Sequence, residues 1–358
     1  MQPPEIHAGS QVSERPSLVL VGASVRAAAR SATRGGYRVI GVDAFGDTDT
    51  RELCDEFYLW TGDDEPIAEI MRIAERCPVI QVGDIMQAEK LRRIFPRTEN
   101  DAGQWRIFND LKDLCGDDCI RFPQTISAKQ PPNSGRWLRK RLDSCGGLGI
   151  RWAVGVETNR TGNDPSQLQR WIAGRTFGAT LLSNGEQVRL LGVCRAVTHR
   201  GAENPFIYGG SIGPVKITSS IRGSIQRFAD SIVKRRRLRG LFNVDFVLDA
   251  KGNLWMLEIN PRWSASMELI ELAMTSFEPG TSLIAASFNE ESASSMLDFC
   301  SCDQLFFKKI HFAKRTETFR RSSWESRLHS QETLHDIPAD GEIIRPGHPI
   351  CTTIERIA

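Results

Sequence analysis

Residues 243–266 read NVDFVLDAKGNLWMLEINPRWSAS, and this stretch decides the fold of the chain. Apolar residues dominate on both sides of the turn signal Lys251-Gly252, which predicts a β-hairpin with strands over 242–248 and 254–259. Asp245 lies in the first strand, and Glu258 and Asn260 end the second. Because residues two apart in a strand point to one face, Glu258 and Asn260 should project together.

This cluster of oxygen ligands predicts a metal site. Mg²⁺ is usually held by one or two carboxylates together with substrate phosphates, so we expect Asp245, Glu258 and Asn260 to bind Mg²⁺, or Mn²⁺ in its place. Arg262 follows directly and can meet an anion with its planar guanidinium. A surface hairpin with scattered charges is the alternative, but it does not explain acids among Val, Phe, Leu, Trp and Met.

A second signal lies upstream, where Lys140 precedes the glycine-rich stretch SCGGLG at 144–149. Glycine lets backbone N–H groups approach phosphate oxygens, and a nearby lysine adds a point charge. Many glycine loops are only turns, so this signal is weak by itself. It is not a Walker A motif, because the lysine comes before the glycines.

The rest of the chain alternates strands and helices. An apolar strand over 18–22, an Ala- and Arg-rich helix over 24–33 and a strand over 37–43 predict a βαβ unit with a parallel sheet. The other expected elements are strands at 56–59, 78–82, 135–142, 175–183, 187–197, 306–313 and 350–356, helices at 66–76, 85–94, 221–239 and 266–274, and a short helix or hinge at 167–172.

Composition narrows the function class. The 358 residues carry 46 basic and 44 acidic side chains, a net charge of +2 that argues against a dedicated nucleic-acid binder. The basic run at 234–239 is expected to be the solvated face of a helix. No apolar stretch is long enough to span a bilayer, and the first 16 residues lack the apolar core of a secretory signal, so we expect a cytoplasmic protein.

The order of lysine, glycine-rich loop, hinge and acidic hairpin resembles the ATP-grasp superfamily over about residues 105–275. Residues 208–214, 336–353 and the N-terminal α/β region resemble a carboligase-like subgroup, related to biotin carboxylase and associated with tetrahydromethanopterin- and methanofuran-dependent one-carbon pathways. The resemblance implies an α/β and α+β multidomain protein, an ATP-grasp fold with a Rossmann-like pre-grasp domain. Its expected parts are a flexible leader (1–15), the pre-grasp domain (16–105), the lid subdomain (106–185), the large subdomain with the metal hairpin (186–300) and a C-terminal β extension (301–358).

The resemblance also implies roles for single residues. ATP would be bound by two lysines and by the glycines of the lid loop: Lys140, Lys112, Gly146, Gly147 and Gly149. The adenine would contact Gln169 and the backbone of Trp171 and Ile172. Many relatives have an acid where this chain has Gln169. Arg262 would stabilise the charge of the reacting group. Ser264, Ser266 and Glu268 could bind the acceptor, although a serine cap and an early glutamate are also ordinary at a helix start.

The implied reaction is a two-step ligation through an acylphosphate. The pathway association suggests an amino acid such as glutamate joined to an amine in one-carbon cofactor biosynthesis. The expected partners are a small-molecule carboxylate and amine, without nucleic acid or membrane, and a homo-oligomer is compatible with the sequence. An ATP-dependent carboxylase and a non-catalytic ATP-binding protein are alternatives. A dinucleotide-dependent oxidoreductase is a further one, since Gly22 follows a strand and Asp43 ends the next; the turn has one glycine where that fingerprint needs three.

Overall fold

A computed structural model describes residues 15–60, 67–83, 120–128, 134–141, 144–153, 166–199, 204–276, 278–288 and 304–357 of the chain. Three sheets of four or more strands organise these residues. The predicted helix at 85–94 and Lys112 lie outside the described residues. No helix within the described ranges has both the length and the apolar composition needed to cross a membrane.

The N-terminal sheet is parallel, as its βαβ pattern predicts. Its strands are β1 (Ser17–Gly22), β2 (Arg38–Asp43), β3 (Glu56–Leu59) and β4 (Val79–Val82), and its helices are α1 (Arg26–Arg34), α2 (Thr48–Leu53) and α3 (Ile67–Ala74). The strand order is β3-β2-β1-β4, with every pair parallel. The carboxyl ends of its strands therefore meet at one edge, where open α/β sheets bind ligands.

A small antiparallel sheet, the lid sheet, follows. It consists of β6 (Thr125–Ser127), β7 (Trp137–Arg141), β8 (Ile150–Trp152) and β9 (Ser166–Arg170), in the order β6-β9-β7-β8. The glycine-rich loop joins β7 to β8. The expectation of a short helix within 167–172 is wrong, because Ser166–Arg170 forms the strand β9 and only the residues after it connect to the next sheet.

The main sheet has nine strands. They are β5 (Ile120–Arg121), β10 (Gly174–Asn184), β11 (Val188–Thr198), β12 (Tyr208–Gly213), β13 (Arg239–Asp249), β14 (Leu254–Asn260), β15 (Phe306–Phe312), β17 (Glu332–His335) and β19 (Pro349–Arg356), and β16 (Glu317–Thr318) and β18 (Ile343–Ile344) form a separate pair. The order is β17-β19-β15-β12-β11-β10-β13-β14-β5. The predicted hairpin is β13 and β14.

Two predicted boundaries need correction. The division at 185/186 falls in the tight turn between β10 and β11, so β10 belongs to the main sheet and not to the lid. The C-terminal strands are not an appended element either, because β15 pairs with β12 and continues the main sheet. Local patterns identified these strands correctly, but strand pairing over long sequence separations leaves no local signal.

Four more helices complete the described structure: α4 (Ser219–Arg236), α5 (Met267–Thr275), α6 (Leu283–Phe288) and α7 (Arg321–Glu325). Thr218 caps α4 by accepting the N–H of Ile221, and the apolar face of the helix packs on the main sheet. The basic run is exposed at the C-terminal end of α4, where cations favour the helix dipole. It is a solvated helix end, as predicted.

One apolar core joins the N-terminal sheet to the rest of the chain. Ala28 and Ala32 of α1 pack with Ile270 of α5 and Ile284 of α6, all at most 2% exposed. Trp263, which follows the hairpin, pairs with β4: its N–H donates to the Gln81 carbonyl at 3.1 Å, and its carbonyl accepts the Gly83 N–H at 2.8 Å. The N-terminal sheet and the metal hairpin are thereby held side by side.

Candidate active site

A cleft of about 510 Å³ lies between the lid sheet and the main sheet and reaches the carboxyl ends of β1 and β4. It brings most of the predicted site residues together. Those lining it are Lys140, Gly146, Gly147, Gln169, Trp171, Ile172, Asp245, Glu258, Asn260, Arg262, Ser264 and Ser266. Gly149 lines a neighbouring cavity on the lid sheet, and Glu268 is not among the cleft-lining residues.

The metal hairpin places its polar side chains in register. Asp245 is paired with Glu258, and Asn243 with Asn260. The Asn260 amide donates to Asp245 Oδ2 at 2.9 Å, while Arg262 Nη2 donates to Asn260 Oδ1 at 3.0 Å. The three predicted metal ligands and Arg262 therefore form one connected group at the end of the hairpin.

Asn243 also belongs to this group, although it is not among the site residues predicted from the sequence. Its Nδ2 donates to Asp245 Oδ1 at 2.6 Å, and the residue is 3% exposed. The signal was present, since Asn243 lies two residues before Asp245 and so shares its face of the strand. Gly178 on β10 lies opposite Asp245, and a Cβ there would come within 2.9 Å of Asn243 Nδ2. Because glycine has no side chain, Gly178 leaves room for the side chains of Asn243 and Asp245.

The two hairpin carboxyls differ in charge state. Burial, reinforced by the neighbouring Glu258 carboxylate, raises the pKa of Asp245 to about 8. Burial also opposes ionisation of Glu258, but the Lys140 ammonium 3.4 Å away, together with Arg262 and hydrogen bonds from Asp245 and Asn260, outweighs it and holds the pKa of Glu258 below its ordinary value. Two acids placed this closely favour a cation between them.

The donor set fits Mg²⁺ bound partly by substrate. Asn243 Oδ1 is buried beside the two carboxylates without a hydrogen-bond partner among the described residues. Within the described part of the chain, no group of three or more His, Cys, Asp or Glu side chains is arranged to hold a metal ion, so the protein supplies few charged ligands. A cation held by Asp245, Glu258 and Asn260 would take its remaining oxygens from phosphate and water, as Mg²⁺ commonly does.

Lys140 connects the lid sheet to this hairpin. It projects from β7, and its Nζ lies 3.4 Å from Glu258 Oε2 and 3.5 Å from Gln169 Oε1. Gln169 is buried in β9 and lies beneath the lysine. Its side chain therefore faces Lys140, which is consistent with the predicted contact with the nucleotide. Gln169 lies in the lid sheet, however, and not in the segment that connects the two sheets.

The glycine-rich loop packs against the segment that leads into β12. The Gly146 carbonyl accepts the Tyr208 N–H at 2.9 Å, and the Gly147 carbonyl accepts the Asn204 Nδ2 donor at 2.9 Å. Gly147 has a φ of +81°, and a Cβ there would come 1.9 Å from the Phe206 carbonyl oxygen. Only glycine permits this close approach.

Gly147→Ala should therefore prevent the loop from docking. We expect the KM for ATP to rise roughly tenfold or more, about the effect of 1.4 kcal/mol in binding. Gly146→Ala is the matched control: Gly146 also has a positive φ, +57°, but a Cβ there meets nothing within 4 Å. Initial rates of ADP formation against ATP concentration measure both. Equal effects in the two variants would show that backbone strain, and not docking, explains the loss.

The connection between the lid sheet and main sheet is packed by aromatic rings. The Arg136 guanidinium lies 3.8 Å from the ring centre of Trp152 and 4.3 Å from that of Trp171. The Trp171 N–H donates to the Arg136 carbonyl at 2.9 Å. Because that N–H is already used, the Trp171 carbonyl and the backbone of Ile172 are the groups left for the predicted adenine contact.

Glu268 has a structural partner that the sequence did not reveal. Arg26 Nη1 and Nη2 donate to its two oxygens at 2.6 and 2.9 Å, and Lys308 Nζ donates to Oε2 at 2.7 Å. Arg26 is fully buried, and burial of Glu268 is outweighed by these cations, so its pKa is held well below the usual range. Glu268 thus links α1, α5 and β15, and its expected direct contact with the acceptor is not supported by this geometry.

Removing Arg26 should destabilise the fold. We expect Arg26→Met to lower the free energy of unfolding by about 3 kcal/mol, because Glu268 would lose two of its hydrogen bonds in a buried setting. Urea unfolding followed by circular dichroism measures the change. Arg38→Met is the control, since the Arg38–Glu56 pair is partly exposed and should contribute much less. Equal losses in the two variants would contradict the structural role of Arg26.

Asp43 does not serve a dinucleotide. Its Oδ2 accepts the Val25 N–H at 2.8 Å, and its Oδ1 accepts those of Phe45 and Gly46 at 2.8 and 2.7 Å. The residue is fully buried. A carboxylate that closes two turns in this way cannot bind a ribose, which removes the observation that favoured an oxidoreductase.

Comparisons with known proteins agree with this geometry. The sequence model of the ATP-grasp domain family matches residues 104–266. The arginine-specific large chain of carbamoyl phosphate synthase from Bacillus subtilis is 26% identical over 110 residues, which is 31% of this chain and 10% of that protein. The chain thus spans only a small part of that relative.

Two solved structures are similar over nearly their whole length. N5-carboxyaminoimidazole synthetase from Staphylococcus aureus, complexed with ADP, has a TM-score of 0.67 at 15% identity, with 95% of this chain and 93% of that one covered. L-amino acid ligase from Bacillus licheniformis has a TM-score of 0.68 at 13% identity, with 96% and 93% covered. With the parallel N-terminal sheet, the lid sheet and the hairpin of β13 and β14 in place, the chain has the ATP-grasp fold, and residues 104–266 match the model of the ATP-grasp domain.

Proposed function

We propose that this protein is an ATP- and Mg²⁺-dependent carboxylate–amine ligase that works through an acylphosphate. The observation that carries the proposal is the arrangement of charges in the cleft. Lys140 of the lid sheet lies 3.4 Å from Glu258 of the hairpin, and Arg262 is bonded to Asn260 in the same group. Cations and oxygen ligands thus lie together in the wall of a cleft of about 510 Å³, which a nucleotide could occupy.

The chain's own residues divide the work of binding. Lys140 and the loop glycines would hold the phosphates of ATP, while Trp171 and Ile172 would hold the adenine. Lys112 is a further proposed contact. Asp245, Glu258 and Asn260 would hold Mg²⁺, which when bound neutralises phosphate charge. Positioning and charge neutralisation account for most of the catalysis in phosphoryl transfer, so no nucleophilic side chain is required.

The reaction balances in two steps. A carboxylate oxygen of the first substrate bonds to the γ-phosphorus of ATP while the bond to the β–γ bridging oxygen breaks, and ADP leaves. The nitrogen of an amine then bonds to the acyl carbon, and the bond from that carbon to the phosphate oxygen breaks. Arg262 would stabilise the oxyanion that develops in this second step.

The fold neighbours support the ligase class, since one is named an L-amino acid ligase. A finer proposal is that the carboxylate belongs to an amino acid such as glutamate and that the product enters one-carbon cofactor biosynthesis. It is supported by the resemblance of residues 208–214, 243–266 and 336–353 to the carboligase-like subgroup. Ser264 and Ser266, which line the cleft beyond Arg262, would contact the acceptor.

Trapping with hydroxylamine tests the proposal without knowledge of the amine. The protein is incubated with ATP, Mg²⁺, hydroxylamine and a panel of carboxylic acids that includes glutamate and the other amino acids. An acylphosphate would be captured as a hydroxamate, with ADP formed in equal amount. ADP formation without any hydroxamate would contradict the ligase assignment, and Glu258→Gln serves as the inactive control.

A second candidate is an ATP-dependent carboxylase, in which bicarbonate takes the place of the organic acid. It is favoured by the fold similarity to an N5-carboxyaminoimidazole synthetase and to a pyruvate carboxylase. ADP formation that depends on bicarbonate, with no response to organic acids, would select this function over the first.

A further inference from the structure

One wall of the cleft is formed by residues that the proposed reaction has not used. Ser24 follows β1, Lys308 lies on β15, and Asp336 follows β17; all three line the cleft. They come from the two ends of the sequence and meet at the carboxyl edge of the N-terminal sheet. Arg262, Ser264 and Ser266 line the same cavity, so a substrate bound there would reach both groups.

Asp336 is held in this wall by an unusual backbone. Its φ is +51°, a left-handed conformation that non-glycine residues adopt rarely and that Asp and Asn tolerate best. Its N–H donates to Asp49 Oδ2 at 2.9 Å. Backbone conformations of this kind persist where the surrounding structure enforces them, and they are frequent at binding sites.

The carboxylate of Asp336 is only half engaged. Its Oδ1 accepts Arg26 Nε at 2.8 Å and the Ser24 hydroxyl at 3.1 Å. Its Oδ2 has no hydrogen-bond donor among the described residues, and the side chain keeps 20% of its surface exposed. One acceptor oxygen is therefore available to a ligand in the cleft.

The charged side chains behind this wall keep Asp336 ionised. Within ion-pair distance, the cations Arg26 and Lys308 face three carboxylates, those of Glu268, Asp336 and Asp49. Arg30, one helical turn beyond Arg26, makes no ion pair within 4 Å to the described residues. Of the three carboxylates, only Asp336 lines the cleft. Burial opposes its ionisation, but Arg26 and Lys308 outweigh it and lower its pKa to about 2, so it is charged at neutral pH.

We propose that Asp336 binds the ammonium group of the amine acceptor and positions its nitrogen for attack on the acyl carbon. This inference rests on the proposed ligase function and names the residue that recognises the second substrate. Because an ammonium has no lone pair, the bound group first releases one proton to solvent, ionised Asp336 being too weak a base to keep it. When the nitrogen then bonds to the acyl carbon, a second proton passes to the departing phosphate. A charge-assisted hydrogen bond of this kind is among the stronger polar contacts in proteins.

The test compares two acceptors in one variant. Asp336→Asn keeps the size of the side chain and its tolerance of a positive φ, but it removes the charge. The acceptors are hydroxylamine, which is largely uncharged at neutral pH, and primary amines from ethanolamine to tyramine, which are protonated. We expect the KM for the primary amines to rise about 10- to 100-fold, as for a lost hydrogen bond to a charged group. The KM for hydroxylamine should rise by a factor at least about ten times smaller.

Glu342→Gln is the control, because Glu342 is an exposed carboxylate in the same segment and does not line the cleft. Circular dichroism establishes whether the variants fold. If Asp336→Asn does not fold, a competition experiment with the wild-type protein tests the proposed ammonium site. Ethylamine should compete with the amine substrate, whereas ethanol at the same concentration should not.

The outcomes separate this inference from the function on which it rests. Equal losses with hydroxylamine and with the amines, or equal competition by ethylamine and ethanol, would overturn the role of Asp336 and leave the ligase assignment standing. Absence of both hydroxamate and amide product would overturn the ligase function and the inference together.

Discussion

A Glu258→Gln protein is expected to fold normally and to form ADP at least about 100-fold more slowly than the wild type, which is the usual scale for a lost group that stabilises the transition state. Glutamine keeps the size of the side chain but removes one of the two carboxylates of the hairpin. It also removes the charged partner of Lys140, 3.4 Å away. Stability should change little, because the Glu258 side chain is 42% exposed and an ion pair in such a position contributes little to the free energy of unfolding.

Steady-state ADP formation at increasing Mg²⁺ concentrations measures this effect, and circular dichroism establishes the fold. Glu186→Gln is the matched control, since Glu186 is exposed in the turn between β10 and β11 and should leave the rate unchanged. Normal turnover in a folded Glu258→Gln protein would show that the metal assignment is wrong.

The Arg262→Ala protein is expected to lose ligation on the order of 100- to 1,000-fold while its affinity for ATP changes much less. Arg262 Nη2 bonds Asn260 Oδ1 at 3.0 Å, and Nη1 lies 3.4 Å from the Ser264 hydroxyl, so the guanidinium spans the metal group and the acceptor side of the cleft. A contact that strengthens as charge develops on the acyl group lowers the barrier more than it strengthens ATP binding.

Calorimetric ATP binding and product formation, measured on the same preparation, test this expectation. Arg262→Lys should recover only part of the activity, because an ammonium cannot replace two parallel N–H donors. Arg189→Ala, an exposed arginine on β11, is the control. If ATP affinity fell in full proportion to turnover, Arg262 would be a nucleotide contact only.

Much of the fold could be predicted because its elements are locally encoded. The hairpin of β13 and β14, the parallel order implied by the βαβ unit and the long helix α4 follow from periodicity and turn residues that lie within a few positions of one another. The proximity of Glu258 and Asn260 was predictable for the same reason, since they share a strand. Asn243 could have been added by the same rule.

Contacts between distant segments could not be predicted. Arg26 meets Glu268 over 242 residues and Asp336 over 310, and nothing near any of them indicates the partner. Glu268 therefore looked like an acceptor ligand, when it is an ion-pair partner of α1. The prediction that β10 belongs to the lid was wrong for a similar reason. The residue pattern of a strand does not indicate which strands lie beside it in the sheet.

The hydrogen bond between Arg26 and Asp336 also has a consequence for biosynthesis. A ribosome must add 310 more residues after Arg26 before the two can meet, and β19, which pairs with the strands beside Asp336, emerges later still. Domains fold largely in the order of synthesis, and native pairings across long sequence separations form late. The N-terminal sheet and the hairpin of β13 and β14 can assemble on the nascent chain, but the wall of the cleft formed by Ser24, Lys308 and Asp336 cannot. The nascent protein should thus acquire its nucleotide site before it can complete a ligation, and translation itself would delay the second half of the reaction.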